Sequence, residues 1–109
     1  MMNKVINMIS LAQKAGKIKS GEENVLNIIK QKKAEIVFLA EDISDNTAKR
    51  ICDKANYRDI PVYRMFDRDT LGRAIGKKER SVVAITDKNF AGGIIKILRG
   101  EEYGENKSL

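Results

Sequence analysis

The chain of 109 residues has no histidine, no tryptophan, one cysteine and one proline, and its aromatic fraction is only 6%. Each scarcity excludes something. Without histidine the chain lacks the side chain that changes charge near neutral pH and the commonest metal ligand. Carboxylates or lysines can still do chemistry, so composition disfavours an enzyme without excluding one, and no catalytic residue, metal or cofactor is expected. A single cysteine forms no internal disulfide and fits a reducing compartment. No apolar run approaches the roughly 18 residues that cross a bilayer. The segment from Met1 to Leu11 lacks a small-residue cleavage site and reads as the first helix of the fold. A cytoplasmic protein with no membrane partner is expected. Tyr57, Tyr63 and Phe66 are too few and too scattered to build a base-stacking platform.

What is present describes one globular domain. The hydrophobic fraction of 42% is ordinary for a folded chain of this length. The net charge of +6 is modest, but it is unevenly placed. Residues 1–40 carry seven Lys and Arg against three acids, and residues 61–80 carry six against three, whereas the other stretches are balanced or slightly acidic. A fold that brings those two segments together presents one basic face to an anionic partner. The alternative is that they are solvated faces of basic helices.

Helical and strand patterns alternate. Val5, Met8, Ile9 and Ala12 repeat at i, i+3, i+4 and i+7, predicting a helix over about residues 3–15 that stops before Gly16. Val25, Ile28 and Ile29 form a second stripe after Gly21. Ala48, Ile51, Cys52 and Ala55 form a third, entered through Ser44, Asp45, Asn46 and Thr47. Cys52 lies on that stripe, where a buried small hydrophobe is expected rather than a reactive thiol. Leu71, Ala74 and Ile75 make a short helix ending at Gly76. Ala91, Ile94, Ile95 and Leu98 make the last, closed by Gly100. Between the helices, Ile36 to Ala40 and Val82 to Ile85 are continuous apolar runs, as in strands covered on both faces. Val62-Tyr63 after Pro61 is a weaker strand, and Lys17-Ile18-Lys19 a short edge strand. The expected fold is therefore α/β, a mostly parallel or mixed sheet of about four strands with helices on both faces. Residues 1–100 are expected to form the domain, with 101–109 as a flexible tail.

Three segments stand out as carriers of function. From Ala15 to Asn24 the chain places Lys17 and Lys19 before a Gly21-led helix start. Ser20 as N-cap and Glu23 three residues on suggest a capping box, with Glu22 and Glu23 offsetting the positive helix end. The same helix start exposes backbone N–H groups to an anion. Its acids would repel a phosphate there, but a carboxylate is a natural acceptor for guanine N–H donors, so a base edge flanked by lysines suits it better. The loop Gly76-Lys77-Lys78-Glu79-Arg80-Ser81 is the second segment, either a generic exposed turn or a basic contact loop. The third, Glu41-Asp42, ends a buried strand in the manner of an acidic nucleotide or phosphoacceptor site. No Gly-rich phosphate loop accompanies it, and an acidic helix entry capped by Ser44 or Asp45 is the better explanation.

In order along the chain, the Gly-led helix start, Ala34 to Asp42, Pro61-Val62-Tyr63, Leu71-Gly72-Arg73-Ala74-Ile75-Gly76 and Val82 to Ile85 closely resemble the L7Ae/L30e ribosomal-protein family. The resemblance is specifically to its bacterial YlxQ-like branch and spans about residues 4–98. It implies a three-layer α/β/α sandwich and binding of kink-turn RNA, a sharply bent helix with tandem sheared G·A pairs. Family members use a Gly-x-Asn-Glu-x-x-Lys motif that falls here on Gly21, Glu22, Glu23, Asn24, Val25, Leu26 and Asn27. The carboxylate and amide stand in exchanged order, and Asn27 replaces the usual lysine, with Lys30 one turn further on. The family's second contact loop matches Lys77, Lys78, Glu79, Arg80 and Ser81, charged here where apolar residues are usual. Arg68 matches a commonly basic, RNA-facing position. By this resemblance the partner is RNA, a kink-turn or ribosomal RNA, with the ribosome as a further partner and a monomeric ribonucleoprotein component as the expected form. Phosphates would be met by Lys17, Lys19, Arg68, Lys77, Lys78 and Arg80, and base edges by Gly21, Glu23 and Asn24. The departures at Glu23, Asn24 and Asn27 keep a second reading open, a protein-interaction or ribosome-associated module whose RNA recognition is lost or altered.

Overall fold

Helix α1 (Met2–Lys14) forms because its apolar residues recur on one face, and Val5, Ile9 and Ala12 are completely buried. A computed structural model describes the backbone of residues 2–100 and the side chains of residues 3–100; the expected tail at 101–109 lies outside the described residues. After α1 come β1 (Ile18–Ser20), α2 (Glu22–Lys30), β2 (Ile36–Leu39), α3 (Asp45–Tyr57), β3 (Val62–Arg64), α4 (Arg68–Ala74), β4 (Val82–Ile85) and α5 (Lys88–Leu98). The four strands form one sheet in the order β1-β4-β2-β3. Its sense is mixed: β4 runs antiparallel to both β1 and β2, and only β2 and β3 are parallel.

The continuous apolar runs mark the two central strands. All four residues of β2 and all four of β4 are buried, because helices cover both faces. On one face Ile36, Phe38, Ala40, Val83 and Ile85 meet Val5 and Ile9 of α1, Leu71 of α4 with Ile75 beyond it, and Ala91 and Ile94 of α5. On the other, Val37, Leu39, Val82 and Ala84 meet Val25 and Ile29 of α2 and Ala48, Ile51 and Ala55 of α3. The result is the three-layer α/β/α sandwich. Burying each of these large aliphatic side chains contributes about 1.5–3 kcal/mol, which makes the two central strands the energetic spine. Cys52 lies on the α3 stripe and packs, half-buried, against the second core. It packs as a small hydrophobe, with less burial than expected.

Two details of local chemistry differ from expectation. Ser20 is not the cap of α2, and no capping box forms. Ser20 is held in β1 opposite Val83, and Gly21 takes the N-cap position at φ 95° and ψ 146° with no side-chain cap. A serine could not adopt that positive φ without strain, so glycine supplies the turn. In contrast, Ser44 caps α3 by accepting the Thr47 N–H at 3.2 Å. The acid in the first turn of α3 is Asp45, and Ser44 marks the entry of the helix.

The topology sorts the connections by end. The carboxyl ends of β1, β2 and β3 and the amino end of β4 lie together, since Ser20 pairs with Val83, and Leu39 with Val82 and Arg64. Each helix that follows one of those three strands, α2, α3 and α4, begins at this same end. Three positive helix termini converge there, and first-turn acids (Glu22, Glu23, Asp45, Asp69) partly offset them.

Candidate nucleic-acid interface

The turn at Gly21 is built from β1 and fastened to β4. Its N–H donates to the Val82 carbonyl at 3.0 Å, and its carbonyl accepts the Val25 N–H to open α2. Asn24 turns back, donating Nδ2 to the Ser20 carbonyl at 3.1 Å. Glu23 and Asn27 are exposed beside it. Glu22 is drawn the other way: Arg50 of α3 reaches it at 2.8 Å, leaving its side chain 30% exposed. Of the two acids at this helix start, one is thus neutralised from α3 and the other faces solvent.

The loop 77–81 lies directly beside this turn. Arg80 ties the two together, donating Nε to the Ser20 Oγ at 3.2 Å across 60 residues of sequence. Its backbone N–H donates to the Arg68 carbonyl at 3.1 Å, and the Ser81 carbonyl accepts the Ala40 N–H at 2.9 Å. The loop crosses α4 at Gly72, where a Cβ would stand 2.4 Å from the Lys78 carbonyl oxygen and 2.8 Å from the Glu79 Cα. Only glycine lets the loop pass this close. The Leu-Gly-Arg block of the sequence is therefore a packing device under the basic loop.

Arg68 completes the cluster from the first residue of α4. Asp42, at the end of β2, accepts its backbone N–H at 3.0 Å and its Nε at 3.4 Å, and Glu79 lies 3.9 Å from its Nη1. The acid pair after β2 thus works as a brace: Asp42 holds the start of α4, and Glu41 donates its N–H to the Phe66 carbonyl at 2.7 Å. Phe66 is buried at φ 66°, a conformation a bulky residue adopts only when its surroundings fix it. Next to it Asp67 caps α4 by accepting the Thr70 N–H at 2.7 Å. The hydrogen bonds from the Thr70 side chain and backbone, and then the charge of Arg73, hold the Asp67 carboxyl below the usual carboxylate range.

Of the residues singled out in the sequence, the fold gathers Gly21, Glu22, Glu23, Asn24, Arg68, Lys77, Lys78, Glu79, Arg80 and Ser81 at this one end of the sheet. Lys17 is not among them. It sits at the other end of β1, where its carbonyl accepts the Thr86 N–H at 2.9 Å. Lys19 is midway along β1, opposite Ala84, and Asn27 is a turn into α2. Among the described residues no acid lies within ion-pair distance of Lys19, Lys77 or Lys78, so their charges are available to an outside anion. Arg50 and Arg64 were not singled out. Arg64, at the end of β3, donates to the carbonyls of Ile43 at 2.7 Å and of Glu41 and Ala40 at 3.4 Å, fixing the loop after β2. The one available signal was that Arg64 follows directly on a strand in the basic stretch 61–80. Nothing local pointed to Arg50, whose partner lies on another helix.

Comparison with known proteins bears on the family and the fold. A model of the ribosomal protein L7Ae/L30e/S12e/Gadd45 family matches residues 3–94. The chain is 45% identical over 91 residues to the RNA-binding protein YlxQ of Bacillus subtilis (strain 168), covering 84% of this chain and 91% of the relative. It is 39% identical over 97 residues to the RNA-binding protein YlxQ of Enterococcus faecium, covering 89% and 93%. Among solved structures, the Giardia lamblia 15.5kD RNA binding protein superposes with a TM-score of 0.77 at 20% identity, covering 92% of this chain and 85% of that one, which is a likeness of fold. The family and the relatives' names describe RNA-binding proteins, not enzymes. No helix among the described residues is long and apolar enough to cross a membrane.

Proposed function

This chain belongs to the ribosomal protein L7Ae/L30e/S12e/Gadd45 family, and on that premise we propose that it binds structured RNA, with a kink-turn-like bent helix seated at the end of the sheet where Gly21, Arg68 and the loop 77–81 meet. The observation that carries the reading is the Arg80 Nε to Ser20 Oγ bond at 3.2 Å, which joins the Gly21 turn to the basic loop 77–81. Lys77, Lys78, Lys19 and Arg68 meet phosphates, with Arg80 and Ser81 holding the loop and Glu79 setting the angle of Arg68. Gly21 offers backbone, and Glu23 and Asn24 offer an acceptor and an amide, to base edges at non-canonical pairs. Lys17, at the far end of β1, reaches only RNA that extends along that edge. Proteins read RNA through such irregular positions because side chains cannot enter the A-form major groove.

Residues 1–100 act in this reading as one RNA-binding domain and as a monomer in the cytoplasm, with ribosomal RNA as the source of the bent helix and the ribosome as its setting. With these four phosphate contacts, log K falls with log salt at a slope of roughly −3. The deciding experiment titrates the protein against a labelled kink-turn RNA and a straight duplex of equal length. Tighter binding to the kink-turn supports the reading, and equal affinity rules it out.

A further inference from the structure

Beyond the Gly21 turn, the surface continues into a shallow groove of about 370 Å3 between β1 and α2. It is lined by Lys19, Asn24, Asn27, Ile28, Gln31 and Lys33. Three features set its chemistry. Asn24, Asn27 and Gln31 stand at i, i+3 and i+7, so their carboxamides line one face of the α2 turn sequence. Lys19 of β1 and Lys33 of the loop after α2 stand at its margins, and among the described residues neither has an acid within ion-pair distance. No acid lines the groove, and buried Ile28 forms an apolar floor.

A second cavity, of about 430 Å3 at the opposite end of the sheet, differs in carrying acids and no row of carboxamides. Glu35 and Asp59 line it, and its Arg58 is already engaged, by the Lys54 carbonyl at 3.1 Å and by the Tyr57 ring at 5.3 Å. Of its bases, Arg58 is committed to the helix end it caps.

A carboxamide carries both donors and an acceptor, so a row of them pairs with base edges of any identity, while a lysine on each side takes the phosphates between. Base edges are open to such contacts only where the strand is unpaired. From Asn24 to Gln31 the helix advances about 10 Å, room for a few nucleotides. We propose that the groove between β1 and α2 holds an unpaired RNA strand leaving the bent helix, read along the Asn24–Asn27–Gln31 row and flanked by Lys19 and Lys33. The inference rests on the RNA reading above and extends its footprint along α2.

The test compares a blunt-ended kink-turn RNA with the same RNA carrying an unpaired extension of about six nucleotides on one strand or the other. For one of the two strands, the extension tightens binding roughly fivefold and steepens the salt slope by about 0.7, from the one added lysine contact at Lys33. The exposed pair Gln31→Ala and Lys33→Ala, combined, abolishes that gain and leaves the blunt RNA bound as before. If the blunt RNA is preferred over a duplex but neither extension changes affinity or slope, the groove proposal is overturned and the sheet-end reading stands. An extension effect that survives the double substitution overturns it as well. Failure to prefer the blunt kink-turn over a duplex removes the sheet-end reading, and the groove proposal falls with it.

Discussion

Two glycines and one aspartate set the local geometry of the interface. At Gly21 a φ of 95° is required for β1 to turn into α2, so Gly21→Ala should cost about 1–3 kcal/mol of backbone strain, measured by urea denaturation. At Gly72 the obstacle is packing rather than φ: an added methyl meets the backbone of Lys78 and Glu79. Gly72→Ala should destabilise by about 1–3 kcal/mol and displace the loop 77–81, so that RNA affinity drops along with stability. The Asp67 cap makes a different prediction. Its carboxyl lies below the ordinary carboxylate value of 3.8 in the folded state. Its contribution is therefore complete above that value and is lost as pH falls through the lower folded value. Thermal melts of Asp67→Asn, which still caps but cannot titrate in that range, should show a shallower acid decline than the parent; identical declines would contradict the assignment. At this scale the sequence was only partly legible. The pattern Ser-x-x-Glu at Ser20 and Glu23 has the composition of a capping box, yet Ser20 is claimed by the sheet and by Arg80. No local pattern reveals a partner 60 residues away.

Elements were far more legible than their contacts. The i, i+3, i+4 stripes in α1 and α3 and the uninterrupted apolar runs of β2 and β4 each report how one element is buried, and burial decides the element. Phe38, in the centre of β2 with no exposure, is the clearest case, and Phe38→Ala should cost about 3–5 kcal/mol. The braces between elements were not legible, because Asp42 to Arg68, Arg50 to Glu22 and Arg64 to the loop after β2 join residues whose spacing in sequence carries no period. The brace made by Arg80 can be separated from its charge. Arg80→Lys keeps the positive charge but loses the planar fork that reaches Ser20. Kink-turn RNA should then bind about fivefold more weakly with the salt slope unchanged, since about 1 kcal/mol of loop positioning is lost. A slope that falls with the affinity would show that Arg80 acts as a phosphate contact instead.

For the whole molecule, the decisive feature is the sorting of ends by a mixed sheet. Because β4 runs against β1 and β2, the loop that enters it lies beside the turns that leave β1 and β2 and the loop after β3. The Gly21 turn and the basic loop 77–81 meet for that reason. Of the lysines in residues 1–40 only Lys19 is seen near them, while Lys30 and Lys32 line the far cavity, a division that composition alone could not decide. The same topology leaves Lys17 and the cavity lined by Tyr57 and Pro61 at the far end. The account thus makes a spatial claim, that RNA docks on one end of the sheet and not the other. Mapping backbone amide NMR shifts while kink-turn RNA is added tests it most directly. The account predicts the largest changes at residues 19–27, 68 and 77–81, continuing along α2 when an unpaired strand is attached. Changes centred on Lys32, Glu35 and the segment from Tyr57 to Ile60, with the Gly21 turn unmoved, would contradict it.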